Sequence, residues 1–173
     1  MTLKNIPFGK IDEFNVLVEI SKDSQNKYEY NEEFGAMELD WVFTGDFCFP
    51  FNYGLIPQTL SGDGDHADTF VLTDHPIEPG IVVKCRAIGV IELLDRGEED
   101  NKILAVALAD QEYKKYQDLR DLPFDYKTIF EEFFKELGIQ KSKIIEIKGF
   151  HGKDRAIEEI NKYLENFKRN HKS

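Results

Sequence analysis

The chain has 173 residues, with 22 Lys+Arg against 33 Asp+Glu, a net charge of −11. At that length residues 1–173 read as a single domain with a core of its own, and 41% hydrophobic and 13% aromatic residues exclude a mainly disordered chain. The acidic balance excludes a duplex-DNA binder, so no nucleic-acid partner is expected, whereas a small phosphate ligand stays open because metal ions can invert a local charge.

The first two thirds predict strands. Residues 15–20 are a short run of branched side chains. Residues 27–30 and 36–43 alternate and flank a turn ending at Gly35, which predicts a hairpin. Gly80 opens a long strand over 81–94, and Gly89 inside it marks a bend or bulge. Residues 102–108 are its hairpin partner across the acidic turn 95–101. The last third turns helical. Ile129, Phe130, Phe133, Phe134 and Leu137 share one helical face, and Gly138 is a plausible stop. Residues 143–148 predict a last short strand. Ile157, Ile160, Leu164 and Phe167 recur at helical spacing in a final helix. Antiparallel strands followed by helices predict a mainly β fold with flanking helices (α+β), a β-barrel with helices packed outside.

Only two cysteines occur, Cys48 and Cys85, and residues 1–7 lack an apolar core for a signal peptide. The most apolar stretch, 81–94, is broken by Lys84 and Arg86 and is too short to span a bilayer. The expected location is cytoplasmic, with no membrane partner.

The chemistry concentrates in Asp63-Gly-Asp-His-Ala-Asp68. Three carboxylates in six residues repel one another unless a cation sits among them. Mg²⁺ takes oxygen ligands from a few carboxylates plus substrate phosphates. For a lone Asp-Gly-Asp the commoner reading is a solvated acidic turn. A calcium loop fits poorly, because Asp68 stands where an EF-hand needs Gly. A second acidic loop ends in Asp100 and leads to Lys102, and Glu19 and Glu29 lie near Lys27 upstream. Carboxylates for metal together with lysines for phosphate oxygens are the inventory of phosphoryl transfer.

In this order the motifs resemble the soluble family I inorganic pyrophosphatases: Asn5-Ile-Pro-Phe-Gly9, Val18-Glu-Ile20, Lys27-Tyr-Glu29, Phe49-Pro-Phe-Asn-Tyr-Gly54, Asp63 to Asp68, Glu78-Pro-Gly80, Asp95 to Lys102, Asp121-Leu-Pro123 and Phe133-Phe-Lys135. The resemblance covers nearly the whole chain. It implies a five-stranded OB-like barrel, several Mg²⁺ ions per site, inorganic pyrophosphate as substrate and a homo-oligomer, often a hexamer. It assigns Asp63, Asp68, Asp95 and Asp100 to metal. Glu19 acts through bound waters and Glu29 supports Lys27. Asp65 takes the proton of the attacking water. Lys27, Tyr53, Lys102 and Lys135 bind phosphoryl oxygens.

Several positions depart from the family's pattern. Trp41 stands in place of a phosphate-gripping Arg, and Phe49 and Phe134 in place of Tyr. Each change removes a donor, and a charge-assisted hydrogen bond is worth roughly 1.5–3 kcal/mol, or about 10–100-fold in rate. A weakened hydrolase, a divergent phosphoanhydride hydrolase or an inactive member are the alternatives this leaves. Arg96 stands where the family is usually acidic. It could replace the lost charge only by pointing inward, and a solvated turn residue is the plainer reading. His66 replaces a usual Pro and is read as a loop side chain, since Mg²⁺ prefers oxygen.

Overall fold

A computed structural model describes residues 2–170. The strands are β1 (Gly9–Lys10), β2 (Glu13–Ile20), β3 (Asn26–Asn31), β4 (Ala36–Val42), β5 (Asn52–Ile56), β6 (Ala67–Leu72), β7 (Val82–Asp95), β8 (Glu98–Glu99), β9 (Lys102–Ala107) and β10 (Ile145–Gly152). The helices are α1 (Tyr126–Gln140) and α2 (Lys153–Asn170).

Five strands close on themselves: β2 pairs with β5, β5 with β6, β6 with β9, β9 with β7, and β7 again with β2. Closure leaves this ring without an unpaired edge of its own. Every pair is antiparallel except β6–β9. β10 extends the sheet beyond β7, and β3–β4 stand apart as a hairpin. The expected five-stranded ring with helices outside is the architecture found.

Two apolar clusters lock the helices to the ring. Val16, Val18, Val71, Val90 and Ile103 meet Ala156, Ile160 and Tyr163 of α2. On the other side Phe130, Phe133 and Phe134 of α1 meet a Phe-rich wall. Phe70 is its hub, with ring centroids 4.9 Å from Tyr53 and 4.9 Å from Phe130. Aromatic pairs of this kind add about 0.5–1.5 kcal/mol each beyond area burial.

Some expectations shift. β5 and β6 had no clear alternation in the sequence, so the strand status of 52–56 and 67–72 emerges only here. Gly138 does not end α1, which runs on to Gln140. Its missing side chain serves a close approach, since a Cβ there would stand 2.8 Å from the Lys143 carbonyl oxygen. Gly89 does sit at a bulge, where the β7–β9 register shifts between Ala87 and Gly89. No described helix is long and apolar enough to cross a membrane.

Gly54 is the tightest crossing. β2 and β5 slip register between Val18 and Ile20, and a Cβ on Gly54 would lie 2.1 Å from the Leu17 carbonyl oxygen. Backbone cannot yield as a flexible side chain can. Gly54→Ala should therefore cost about 3 kcal/mol, read from the urea midpoint. A change within ~0.5 kcal/mol, typical of an unconstrained surface site, would contradict this crossing.

Candidate active site

The strand registers bring the acids and lysines together. β6 and β9 run parallel with Thr69 beside Ile103, so Asp68 and Lys102, one residue earlier on each strand, are neighbours on one face. Lys102 Nζ donates to Asp68 Oδ2 at 2.5 Å and to Asp100 Oδ1 at 2.6 Å. The lysine is only 6% exposed. Burial pulls its pKa down, but the two carboxylates outweigh that and hold the ammonium above its ordinary value. Tyr53 lies across from Phe70 on β5, with its ring 5.8 Å from Lys102 Nζ. Burial and then Asp68 and Asp100 push its phenol well up, so it stays a donor.

Bulges aim two further acids. On β2, Val18 and Ile20 are paired while Glu19 between them is the extra residue. The Tyr30 amide donates to Glu19 Oε1 at 2.8 Å, tying β3 to the ring. On β4, Lys27 opposes Trp41 and Tyr28 opposes Leu39, which leaves Asp40 as the extra residue. Lys27 Nζ donates to Asp40 Oδ2 at 2.8 Å and also to Glu29. These acids outweigh the burial cost and raise the lysine's pKa.

The loop before β6 carries Asp63 and Asp65. Gly64, at φ +93°, lets it turn. Asp63 Oδ1 accepts from the Asp65 amide at 3.0 Å and from Ser61. Asp65 is exposed, yet partial burial and then Asp63 and Asp68 raise its pKa. Asp100 is also raised, by burial against the opposing pull of Lys102. Asp95, at the end of β7, accepts from Lys143 through Oδ2. Its Oδ1 is buried without a hydrogen bond, and Arg96 Nε stands 3.3 Å away in poor alignment.

These groups line one cavity of about 390 Å³. Around it stand eight acids, the seven named above (Glu19, Glu29, Asp63, Asp65, Asp68, Asp95, Asp100) and Glu32. Four lysines face them: Lys27, Lys102, Lys141 and Lys143. The cavity is thus four negative charges in excess if every acid is ionised. Phe49, Phe133, Phe134 and Leu137 form its apolar wall. Among the described residues, no three acidic, histidine or cysteine side chains stand close enough to hold an ion as they are, and Lys102 and Lys143 occupy carboxylate oxygens of Asp68, Asp100 and Asp95. The donor set nonetheless suits a hard divalent cation: it is all oxygen, in charge excess, with one buried carboxylate oxygen unpartnered.

One expected site residue lies elsewhere. Lys135 is exposed and lines, with Arg96 and Ile139, a surface groove that adjoins the cavity at Phe134, Lys143 and Ile145. Helical geometry explains the placement. Phe133 and Phe134 face the ring, so Leu137, three and four residues on, shares their face, whereas Lys135 is turned about 100° away from Phe134. Lys141 and Lys143 reach the cavity instead, beyond the helix end. No motif in the sequence singled them out. Arg96 has a side chain 74% exposed and lines that outer groove, so it does not stand in for a charge near Trp41. His66 is held by the Thr59 carbonyl at 2.8 Å and by Glu32 at 3.2 Å, as a loop side chain.

Glu19 yields a pH prediction. Burial pushes its carboxyl from 4.5 up to about 8, with Asp68 and Glu29 adding to the rise. Below pH 4.5 it is protonated whether folded or not. Between 4.5 and about 8 the folded state binds the extra proton, so its contribution falls as pH rises, by about 1.36 kcal/mol per unit, and is lost above 8. In EDTA, Glu19→Gln should gain on the parent by several kcal/mol between pH 5 and pH 9 in urea unfolding. A difference constant with pH would refute the placement of Glu19.

Comparison with known proteins agrees with this geometry. The family model described as "Inorganic pyrophosphatase" matches residues 16–168. An inorganic pyrophosphatase of Picrophilus torridus is 36% identical over 158 residues, covering 91% of this chain and 89% of the relative. Soluble inorganic pyrophosphatase 1 of Arabidopsis thaliana is 37% identical over 147 residues, covering 85% and 69%. The crystal structure of the Thermus thermophilus inorganic pyrophosphatase superposes with a TM-score of 0.87 at 32% identity, covering 97% and 99%. The family expected from the ordered motifs is the one found, and it is a family of metalloenzymes. The chain belongs to the family I inorganic pyrophosphatases.

Proposed function

We propose that the chain hydrolyses inorganic pyrophosphate to two phosphates in this cavity, with Mg²⁺ as its metal. The observation that carries the reading is the cavity's charge, eight acids against four lysines, in a member of this family. Such a site attracts cations first and a phosphate anion second.

Asp63, Asp68, Asp95 and Asp100 would hold Mg²⁺, which when bound acidifies water and neutralises phosphoryl oxygens. Asp65 accepts the proton of the attacking water. Its raised pKa brings it nearer the working pH, where a general base is most effective. The water oxygen bonds to one phosphorus, the bridging P–O bond breaks, and the proton rests on Asp65. Lys27 and Lys102 hold phosphoryl oxygens, and Tyr53 adds a neutral donor. Glu29 keeps Lys27 in place through its ion pair. Glu19, protonated near neutral pH without metal, is suited to ordering water at the cavity's back. Lys135 lines the adjoining groove rather than this cavity.

The whole chain serves as one catalytic domain in this reading, located in the cytoplasm, where its two free thiols stay reduced. A homo-oligomer, a hexamer by family resemblance, is supported by exposed apolar residues including Phe34, Ile139 and Ile144.

The test is phosphate release from pyrophosphate, in Mg²⁺ and in EDTA, beside Asp65→Asn. The parent should turn over only with Mg²⁺, and the variant should lose at least ~100-fold in kcat. Equal release by parent and variant, or release in EDTA, would reject the proposal.

A further inference from the structure

Three of the four cavity lysines spend their ammonium groups on carboxylates: Lys27 on Asp40 and Glu29, Lys102 on Asp68 and Asp100, and Lys143 on Asp95. Lys141 differs. Among the described residues its Nζ has no hydrogen-bond acceptor. The nearest carboxylate oxygen, on Asp40, is 4.0 Å away. It rests instead 3.9 Å above the centroid of the Trp41 ring. An aromatic face attracts a cation without consuming any of its N–H donors.

The scaffold places this pair deliberately. Lys141 is the residue that ends α1, its amide bonded to the Leu137 carbonyl at 3.0 Å. The preceding residue, Gln140, clamps the helix end to the chain just past β4. It accepts from the Thr44 amide at 3.2 Å and hydroxyl at 3.1 Å, and donates to the Thr44 carbonyl at 3.2 Å. On β4 the bulge at Asp40 turns Trp41 to oppose Lys27. Lys141 therefore lines the cavity beside Lys27, with three free donors and a mostly buried stem. Burial and then the charge of Lys27 lower its pKa, as expected of an ammonium kept short of counter-charge.

We propose that Lys141, held on the ring of Trp41, is a phosphate-binding residue of this enzyme, with Trp41 as its positioning residue. The proposal rests on the pyrophosphate reading above and assigns the cation at the lysine end of the cavity.

Trp41 is the chain's single tryptophan, so its fluorescence reports on the pair directly. Titrating inorganic phosphate in the presence of Mg²⁺ should change parent emission saturably, and Lys141→Gln should abolish that response. With pyrophosphate, Lys141→Gln should raise KM roughly 10–100-fold, the loss of one charge-assisted contact. Trp41→Arg in the Lys141→Gln background should recover at least ~3-fold of that loss by returning a cation to the same edge, whereas a merely structural lysine would not be rescued so. Circular dichroism and urea midpoints establish that each variant folds, and Lys141→Arg, which keeps the charge, should hold KM within ~3-fold of the parent. A retained phosphate response in Lys141→Gln, or an unchanged KM, would overturn the assignment. A parent without pyrophosphate hydrolysis would instead reject the function above, and the fluorescence titration would still decide the role of Lys141.

Discussion

Lys102 is the point on which the site turns. It enters from β9, the strand parallel to its neighbour β6, and its buried ammonium joins Asp68 of β6 to Asp100 of the short link between β8 and β9. A buried ion cluster is weak evidence for net stability, because desolvation offsets the attraction. Its value here is register. A one-residue slip between β6 and β9 would carry Lys102 to the opposite face and leave Asp68 and Asp100 unpaired in a low-dielectric wall. One lysine cannot neutralise two carboxylates, so the cluster keeps a negative remainder. Burial first, and then the charge of the neighbouring acids, lifts Glu19, Asp65 and Asp100.

The cavity consequently holds two lysine-centred clusters, each with carboxylates around it. Asp68 and Asp100 bond Lys102 where the ring strands meet, and Asp63 and Asp65 line the same cavity from the loop before β6. Lys27, paired with Asp40 and Glu29, and Lys141, on the ring of Trp41, stand where the β3–β4 hairpin meets the end of α1. Between them runs the apolar wall of Phe49, Phe133, Phe134 and Leu137, which offers no hydrogen-bond donors from its side chains. An anion with two charged groups can span such a cavity, one group toward cations held by the acids and the other toward Lys141, whose ammonium has no hydrogen-bonded carboxylate among the described residues. Orientation then comes from charge placement rather than from a dense net of neutral donors.

Much of this was legible in the sequence. Alternation and branching predict the β3–β4 hairpin, β7 and β9, and the 3.6-residue stripe gives α1 and α2. The clustered acids point to the right loops, and their order gives the family. What stayed hidden depends on contacts between distant segments. The bulges at Glu19 and Asp40 exist only as a mismatch between two strands, and no single segment records it. β5 is only five residues long, with adjacent Leu55 and Ile56 on opposite faces and no alternation, so its pairing decides its conformation. The lysines were the hardest. Lys135 follows two inward Phe residues in sequence, but the helix turns it outward. Lys141 and Lys143 lie past the helix end, where only the fold of the turn into β10 sends them to the cavity.

The central claim is that the excess of acids makes phosphate binding conditional on a divalent cation. Isothermal calorimetry with inorganic phosphate, run in EDTA and again after saturation with Mg²⁺, tests it most directly. The account predicts no measurable phosphate binding in EDTA and clear binding with Mg²⁺. Equal affinity in the two conditions would contradict it.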